Sequence, residues 1–147
     1  MKVTFTLNGK ETKAEFVPGE TLFHYLRSQE IYSVKNGCEL GECGACTALI
    51  DNKAQNTCLV MMHTVEGKTI ETVENLGNKN NLHHLQQKFL DEGAVQCGYC
   101  TPGMILASEA LLREKEQPST EDVRDALAGN LCRCTGYVKP VKAVSHE

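Results

Sequence analysis

The sequence predicts an α+β chain in which a β-rich half, up to about residue 74, precedes an all-helical half. Three observations lead there. Short runs of alternating polar and apolar residues fill the first half, with the two-residue period of half-buried strands. Beyond a polar stretch the apolar residues take up helical spacing. Eight cysteines divide four and four across that stretch, one quartet in each half.

Val3, Phe5 and Leu7 alternate with Thr4 and Thr6, and a second alternating run follows around Thr12, Ala14 and Phe16. Asn8-Gly9 between them is the strongest short-range hairpin signal, because its turn needs two residues that accept positive φ. Pro18-Gly19 closes the hairpin. Thr21 is an N-cap for a helix carrying Leu22, Tyr25 and Leu26 on one face. Residues 36–46 hold three glycines (Gly37, Gly41 and Gly44) and are too broken for regular structure. Thr47–Ile50 reads as a strand, Asp51-Asn52 as its turn, 57–61 as the returning strand and 69–73 as the last strand.

Residues 75–81, Asn-Leu-Gly-Asn-Lys-Asn-Asn, read as a linker between halves spanning 1–74 and 82–147. Leu82, Leu85, Phe89 and Leu90 fit a helix that ends near Gly93. Thr101 as N-cap and Pro102 as first helical residue open another, continued by Met104, Ile105, Ala107, Leu111 and Leu112. Ser119 with Asp122 resembles a capping box, and its helix carries Val123, Ala126 and Leu127 before stopping at Gly129. A final helix covers 138–144, with Pro140 tolerated in its first turn. Each half has roughly 70 residues, a size at which burial is marginal and a metal staple helps.

The 147 residues include 15 basic and 19 acidic side chains, a formal net charge of −4. That mild acidity argues against nucleic acid as a partner, which calls for basic patches. The N-terminus has no unbroken apolar stretch of the roughly 7–15 residues that a secretory signal needs. No run approaches the roughly 18 residues of a membrane span. The expected compartment is the cytosol, where thiols stay reduced, so the cysteines read as metal ligands rather than disulfides.

Cys38, Cys43, Cys46 and Cys58 follow the pattern C-x4-C-x2-C with a distant fourth cysteine, the plant-type [2Fe–2S] spacing. A flexible loop brings three thiolates to one cluster while backbone N–H groups point at the sulfurs. Gly37, Gly41 and Gly44 would permit that close approach. A zinc site usually shows two C-x2–4-C knuckles, and Cys58 has no such partner. Buried free cysteines would not crowd into a glycine-rich loop. The second quartet is Cys97, Cys100, Cys132 and Cys134, a C-x2-C and a distant C-x-C. Its spacing alone suits either zinc or an iron–sulfur cluster. Cys100 precedes a helix start and Cys132 follows a helix end, so helix termini would meet around one site.

Three segments together resemble the iron–sulfur subunit of the xanthine dehydrogenase family of molybdenum hydroxylases. They are Gly37-Cys38-Glu39-Leu40-Gly41-Glu42-Cys43-Gly44-Ala45-Cys46-Thr47, Gln96-Cys97-Gly98-Tyr99-Cys100-Thr101-Pro102-Gly103, and Gly129-Asn130-Leu131-Cys132-Arg133-Cys134-Thr135-Gly136-Tyr137. The resemblance covers nearly the whole chain. It implies two [2Fe–2S] clusters, one in a β-grasp ferredoxin-like domain and one in a four-helix domain. It also implies a large molybdopterin-binding partner subunit and an FAD-binding subunit. The chain would then be an electron relay, inactive alone, with the helical-domain cluster nearest the molybdopterin and the other facing FAD. Gln96 and Cys134 match positions that contact the pterin in such enzymes, although the residue alone reads as an ordinary loop glutamine.

The resemblance leaves the substrate open among purines such as xanthine, other N-heteroaromatics, aldehydes, carbon monoxide and an aromatic thioester such as hydroxybenzoyl-CoA. Two further readings are a free-standing two-cluster ferredoxin and a zinc-stapled interaction module. The chain carries no glycine-rich dinucleotide fingerprint and no P-loop. His24, His63, His83 and His84 read as surface or packing residues, because eight cysteines already fill two sites. Glu39 and Glu42 read as solvated loop charges, and Arg133 faces either cluster charge or a partner.

Overall fold

Alternation in the first half becomes a sheet. In the computed structural model, whose described residues are 1–145, Lys2–Leu7 (β1) and Lys10–Glu15 (β2) pair antiparallel, with Val3 opposite Ala14. Asn8 (φ 49°) and Gly9 (φ 78°) supply the two left-handed residues of the hairpin turn. Val3, Phe5 and Ala14 are buried. Helix Leu22–Ser28 (α1) buries Leu22, Phe23, Tyr25 and Leu26, and Thr21 caps it by accepting the His24 N–H. Tyr25 meets Phe5 edge to face, ring centroids 5.8 Å apart.

Thr47–Ile50 (β3) is buried throughout and pairs antiparallel with Lys53–Asn56 (β4) around Asp51 and Asn52. Thr69–Glu71 (β5) runs parallel to β1 and antiparallel to β3. The order β2-β1-β5-β3-β4 with α1 packed on it is a β-grasp sheet. The returning strand is β4, not 57–61. Pairing begins directly after the two-residue turn, and β4 is an edge strand with exposed Lys53, Ala54 and Gln55, so it carries no apolar alternation. Thr57–Leu59 instead coils into a 3₁₀ turn that sinks Cys58 into the core, where the Thr57 hydroxyl donates to the Cys46 carbonyl at 2.8 Å. The last strand likewise ends at Glu71, and Val73–Asn75 is a single 3₁₀ turn.

Four helices follow: His84–Asp91 (α2), Thr101–Glu114 (α3), Thr120–Leu127 (α4) and Val138–Val144 (α5). In α2, Leu85 and Phe89 are buried, whereas Leu82 precedes the helix and Leu90 faces outward. Gly93 (φ 60°) ends it, with Gly93 N–H on the Leu90 carbonyl and Ala94 N–H on the Phe89 carbonyl, a Schellman pattern. The N-cap of α3 is Cys100 rather than Thr101. The Cys100 backbone is already helical, and its carbonyl accepts the Met104 N–H at 3.0 Å. Residues from Gly103 to Glu109 are buried without a break, so α3 is the central helix, enclosed on all sides. Ser119 and Asp122 form the reciprocal capping box of α4.

Two apolar cores result. One lies between the sheet and α1, the other among the helices. They abut, because α3 packs on β3 and β4 as well as on α2 and α4. The polar stretch 75–81 is folded onto the helices: Leu76 packs against their core, and Asn78 and Asn81 exchange backbone hydrogen bonds at 3.0 Å. Among the described residues no helix is long and apolar enough to cross a membrane.

Candidate metal centres

The eight thiols gather into two quartets, one on each side of the seam between the cores. In the first, Cys38 lies within hydrogen-bonding reach of Cys43, and Cys58 within reach of Cys46. In the second, Cys97 is paired in this way with Cys134, and Cys100 with Cys132. Among the described residues no three cysteine sulfurs lie within 4.8 Å of one another. A single tetrahedral zinc with Zn–S of about 2.3 Å would draw all four sulfurs to within about 4 Å. Thiols set two by two suit a binuclear cluster, in which two irons share four cysteines.

Backbone amides aim at these sulfurs. The Leu40 N–H meets Cys38 Sγ at 3.3 Å, and the amides of Leu40, Cys43 and Glu42 bring the Cys38 thiol down to about 7. The Tyr99 amide is the main cause of the lowered Cys97. At Cys132, burial acts upward, but the Thr135 hydroxyl (3.1 Å) and amide (3.4 Å) together with other donors carry the thiol below its ordinary value. Burial dominates elsewhere, raising Cys43, pushing Cys58 to about 11 and Cys100 to about 12. Cys134 is raised by its bond with Cys97. Donors that favour thiolate also favour a negatively charged cluster.

Of the three loop glycines, Gly37 serves the sulfurs directly: a Cβ there would sit 2.6 Å from Cys43 Sγ. The other two make room elsewhere. Gly41 lies under the Leu59 side chain, and a Cβ on Gly44 would fall 2.3 Å from the Gly129 carbonyl.

Each quartet has one open edge. Cys46, Cys58 and Cys100 are buried, Cys38, Cys43 and Cys132 half-buried, and Cys97 and Cys134 exposed. Gln96 and Arg133 are exposed beside Cys97 and Cys134. Leu40 is exposed beside Cys38. Glu39 is exposed and faces His24 at 3.4 Å, and Glu42 is exposed.

The loops carrying the quartets are bonded to each other. The Leu131 N–H donates to the Cys43 carbonyl at 2.9 Å. Asn130, buried, donates through Nδ2 to the Gly44 carbonyl (3.0 Å) and to Thr47 Oγ1 (3.2 Å). Lys35 Nζ donates to the Gly98 carbonyl at 2.9 Å, and the Tyr99 hydroxyl to the Asn36 carbonyl. The roles of Lys35 and Asn130 carried no sequence signal, because both act across the seam on residues far away in the chain.

His83, His84 and Glu109 also come within 4.8 Å of one another. His83 Nδ1 is spent on the Leu85 N–H as the cap of α2, and Arg113 Nε already holds Glu109 at 2.9 Å. That trio is a helix cap joined to an ion pair. His63 sits in the 3₁₀ turn Met62–Thr64, on the surface.

Two cysteine quartets, one on a β-grasp sheet and one in a four-helix unit, define a two-cluster iron–sulfur electron carrier. Residues 5–69 match the 2Fe-2S iron-sulfur cluster binding domain family, and residues 72–145 the [2Fe-2S] binding domain family. The xanthine dehydrogenase iron-sulfur-binding subunit of Escherichia coli O157:H7 is 48% identical over 141 residues, covering 95% of this chain and 89% of that one. The structure of quinoline 2-oxidoreductase from Pseudomonas putida 86 aligns over 99% of this chain and 91% of its own, with TM-score 0.94 and 40% identity. The aldehyde oxidoreductase of Desulfovibrio desulfuricans ATCC 27774 aligns over 97% of this chain at 44% identity and TM-score 0.93. There the match is 16% of a longer polypeptide. The chain belongs to the iron–sulfur small subunits of the xanthine dehydrogenase family of molybdenum hydroxylases, and electron transfer within such an oxidoreductase is its function.

Proposed function

We propose that this chain relays single electrons from a molybdopterin-binding large subunit towards an FAD-binding subunit during oxidative hydroxylation of a purine or related N-heteroaromatic. The carrying observation is the Leu131–Cys43 hydrogen bond, which puts the two quartets in one bonded unit with an open edge at either side. Cys38, Cys43, Cys46 and Cys58 hold one [2Fe–2S] cluster, and Cys97, Cys100, Cys132 and Cys134 the other. When bound, each cluster supplies a one-electron carrier.

Gln96 and Cys134 form the edge that meets the pterin. The exposure of both, next to exposed Cys97, supports this. The opposite edge, at Cys38 and Leu40, faces the flavin subunit. The functional units are 1–74 and 82–147, joined by 75–81. The compartment is the cytoplasm, which keeps the eight thiols reduced before cluster loading. Xanthine is the first substrate to test, since a relative of 48% identity carries that name. Quinoline and aldehydes follow from the solved structures.

Purification of the complex from its native host tests the reading. The expected result is a stable assembly with molybdenum, FAD and about four irons per copy of this chain, oxidising xanthine faster than quinoline, nicotinate or aldehydes. Isolation as a monomer without molybdenum or FAD would establish a free-standing two-cluster ferredoxin instead. Preference for another substrate would move the assignment within the family.

A further inference from the structure

Lys35 belongs to the first half by sequence and backbone. Its N–H donates to the Ala45 carbonyl at 3.0 Å, inside the loop that carries Cys38, Cys43 and Cys46. Its ammonium crosses to the other half. There it donates to the carbonyl of Gly98, between Cys97 and Cys100, and lies 5.1 Å from the Tyr99 ring centroid. Among the described residues no carboxylate pairs with this ammonium, whereas Lys2, Lys68, Lys115 and Lys142 each have one. The charge is half-buried, uncompensated and fixed beside the second quartet.

We propose that Lys35, supplied by the β-grasp half, raises the reduction potential of the cluster held by the helical half, and so sets the driving force between the two clusters. The inference rests on the relay reading above. Reduction adds one negative charge to a cluster already bounded by four thiolates, and a nearby fixed cation favours that state. The effect is selective because the ammonium points away from its own loop. The contact also holds Gly98 in its left-handed turn (φ 79°), which lies between the two thiols of the C-x2-C pair.

The test is an EPR-monitored redox titration of the intact complex carrying Lys35→Gln, Lys35→Arg or Tyr99→Phe, with iron counted first. Four irons per chain confirm the two-cluster reading independently of any shift. Gln keeps a donor for the Gly98 carbonyl and loses the charge, Arg keeps the charge, and Phe removes the phenol bond to Asn36 and keeps the cation. In Lys35→Gln the reduced-to-oxidised ratio of the second cluster at fixed potential falls severalfold, up to about tenfold, which is 59 mV for a one-electron couple. The first cluster moves by less than about twofold, and Lys35→Arg and Tyr99→Phe keep the native second potential. Equal shifts in both clusters, an unmoved second potential, a shift in Lys35→Arg as large as in Lys35→Gln, or loss of two irons in Lys35→Gln would each overturn the proposal.

Discussion

The amide of Leu131 donates to the carbonyl of Cys43 across 2.9 Å, so a cysteine of the first quartet and the residue preceding Cys132 of the second share one hydrogen bond. Asn130 next to it is 4% exposed and spends its amide nitrogen on the Gly44 carbonyl and the Thr47 hydroxyl. These contacts come from residues more than 80 positions apart in the chain. They tie the two cluster loops to each other.

Replacing Asn130 by Ala therefore strikes the seam and neither core. It deletes two buried hydrogen bonds and leaves the Thr47 hydroxyl oxygen without its donor, while the Gly44 carbonyl keeps the Thr47 hydroxyl at 2.7 Å. The expected cost is about 1–3 kcal/mol. Chemical denaturation of the holo chain measures it. The apolar cores are untouched, so a cost below about 0.5 kcal/mol would mean that the seam is solvated and the halves separate freely.

The seam is also close-packed. A Cβ on Gly44 (φ 70°) would meet the Gly129 carbonyl at 2.3 Å and Asn130 Nδ2 at 2.6 Å. A Cβ on Gly103 would meet the Gly44 carbonyl at 2.6 Å. In both cases the nearest atom is a backbone oxygen, which cannot rotate aside. Gly44→Ala and Gly103→Ala are each expected to cost about 2–4 kcal/mol. Gly9→Ala, with open space around its Cβ position, pays only for its left-handed backbone, about 1 kcal/mol. Thermal unfolding of the three variants side by side separates crowding from backbone strain.

What the sequence revealed follows the range of each signal. The hairpin at Asn8-Gly9, the cap at Thr21, the Ser119–Asp122 box and the final helix are local, and local chemistry decides them. The cysteine quartets are legible because three ligands share one loop and the others come in close pairs. Strand β4 was hidden because an edge strand exposing Lys53, Ala54 and Gln55 has no apolar period. The N-cap of α3 was displaced by one residue because the Cys100 backbone turns helical early. Lys35, Asn130 and Arg113 each reach across the seam to a partner at least 42 residues away, and no local pattern announces such a contact.

Arg113 is the charged clasp of the same seam. From α3 it reaches Glu71 of β5 at 2.6 Å, Asn52 of the β3–β4 turn at 2.5 Å and Glu109 at 2.9 Å. Hydrogen bonding to Arg113 is the main reason that the Glu71 carboxyl sits below its ordinary value. A depressed carboxylate stabilises the fold above the ordinary carboxylate range, and that contribution drains away as pH falls through the lowered value. Arg113→Met leaves Glu71 and the largely buried Glu109 without their cation, at a cost of about 3 kcal/mol near pH 7. The gap between variant and native protein narrows as the pH is taken down below the ordinary carboxylate range and Glu71, held low by Arg113, protonates. Denaturation curves across that range check both the size and the sign.

The pairing of thiols across each quartet makes the two sites separable. Cys134 pairs with Cys97 at an exposed edge, whereas Cys58 is buried in the sheet core with Cys46. Cys134→Ala removes one of four thiolates from the second quartet and touches nothing in the first. Iron is expected to fall from about four to about two per chain, with one of two EPR signals lost on reduction. Cys58→Ala is expected to remove the other signal and also to lower the unfolding midpoint, because the site lies within the first core and metal binding adds to folding stability. The two variants should thus be complementary, each keeping the signal that the other loses. Survival of both signals in Cys134→Ala would show that the second cluster takes a different fourth ligand.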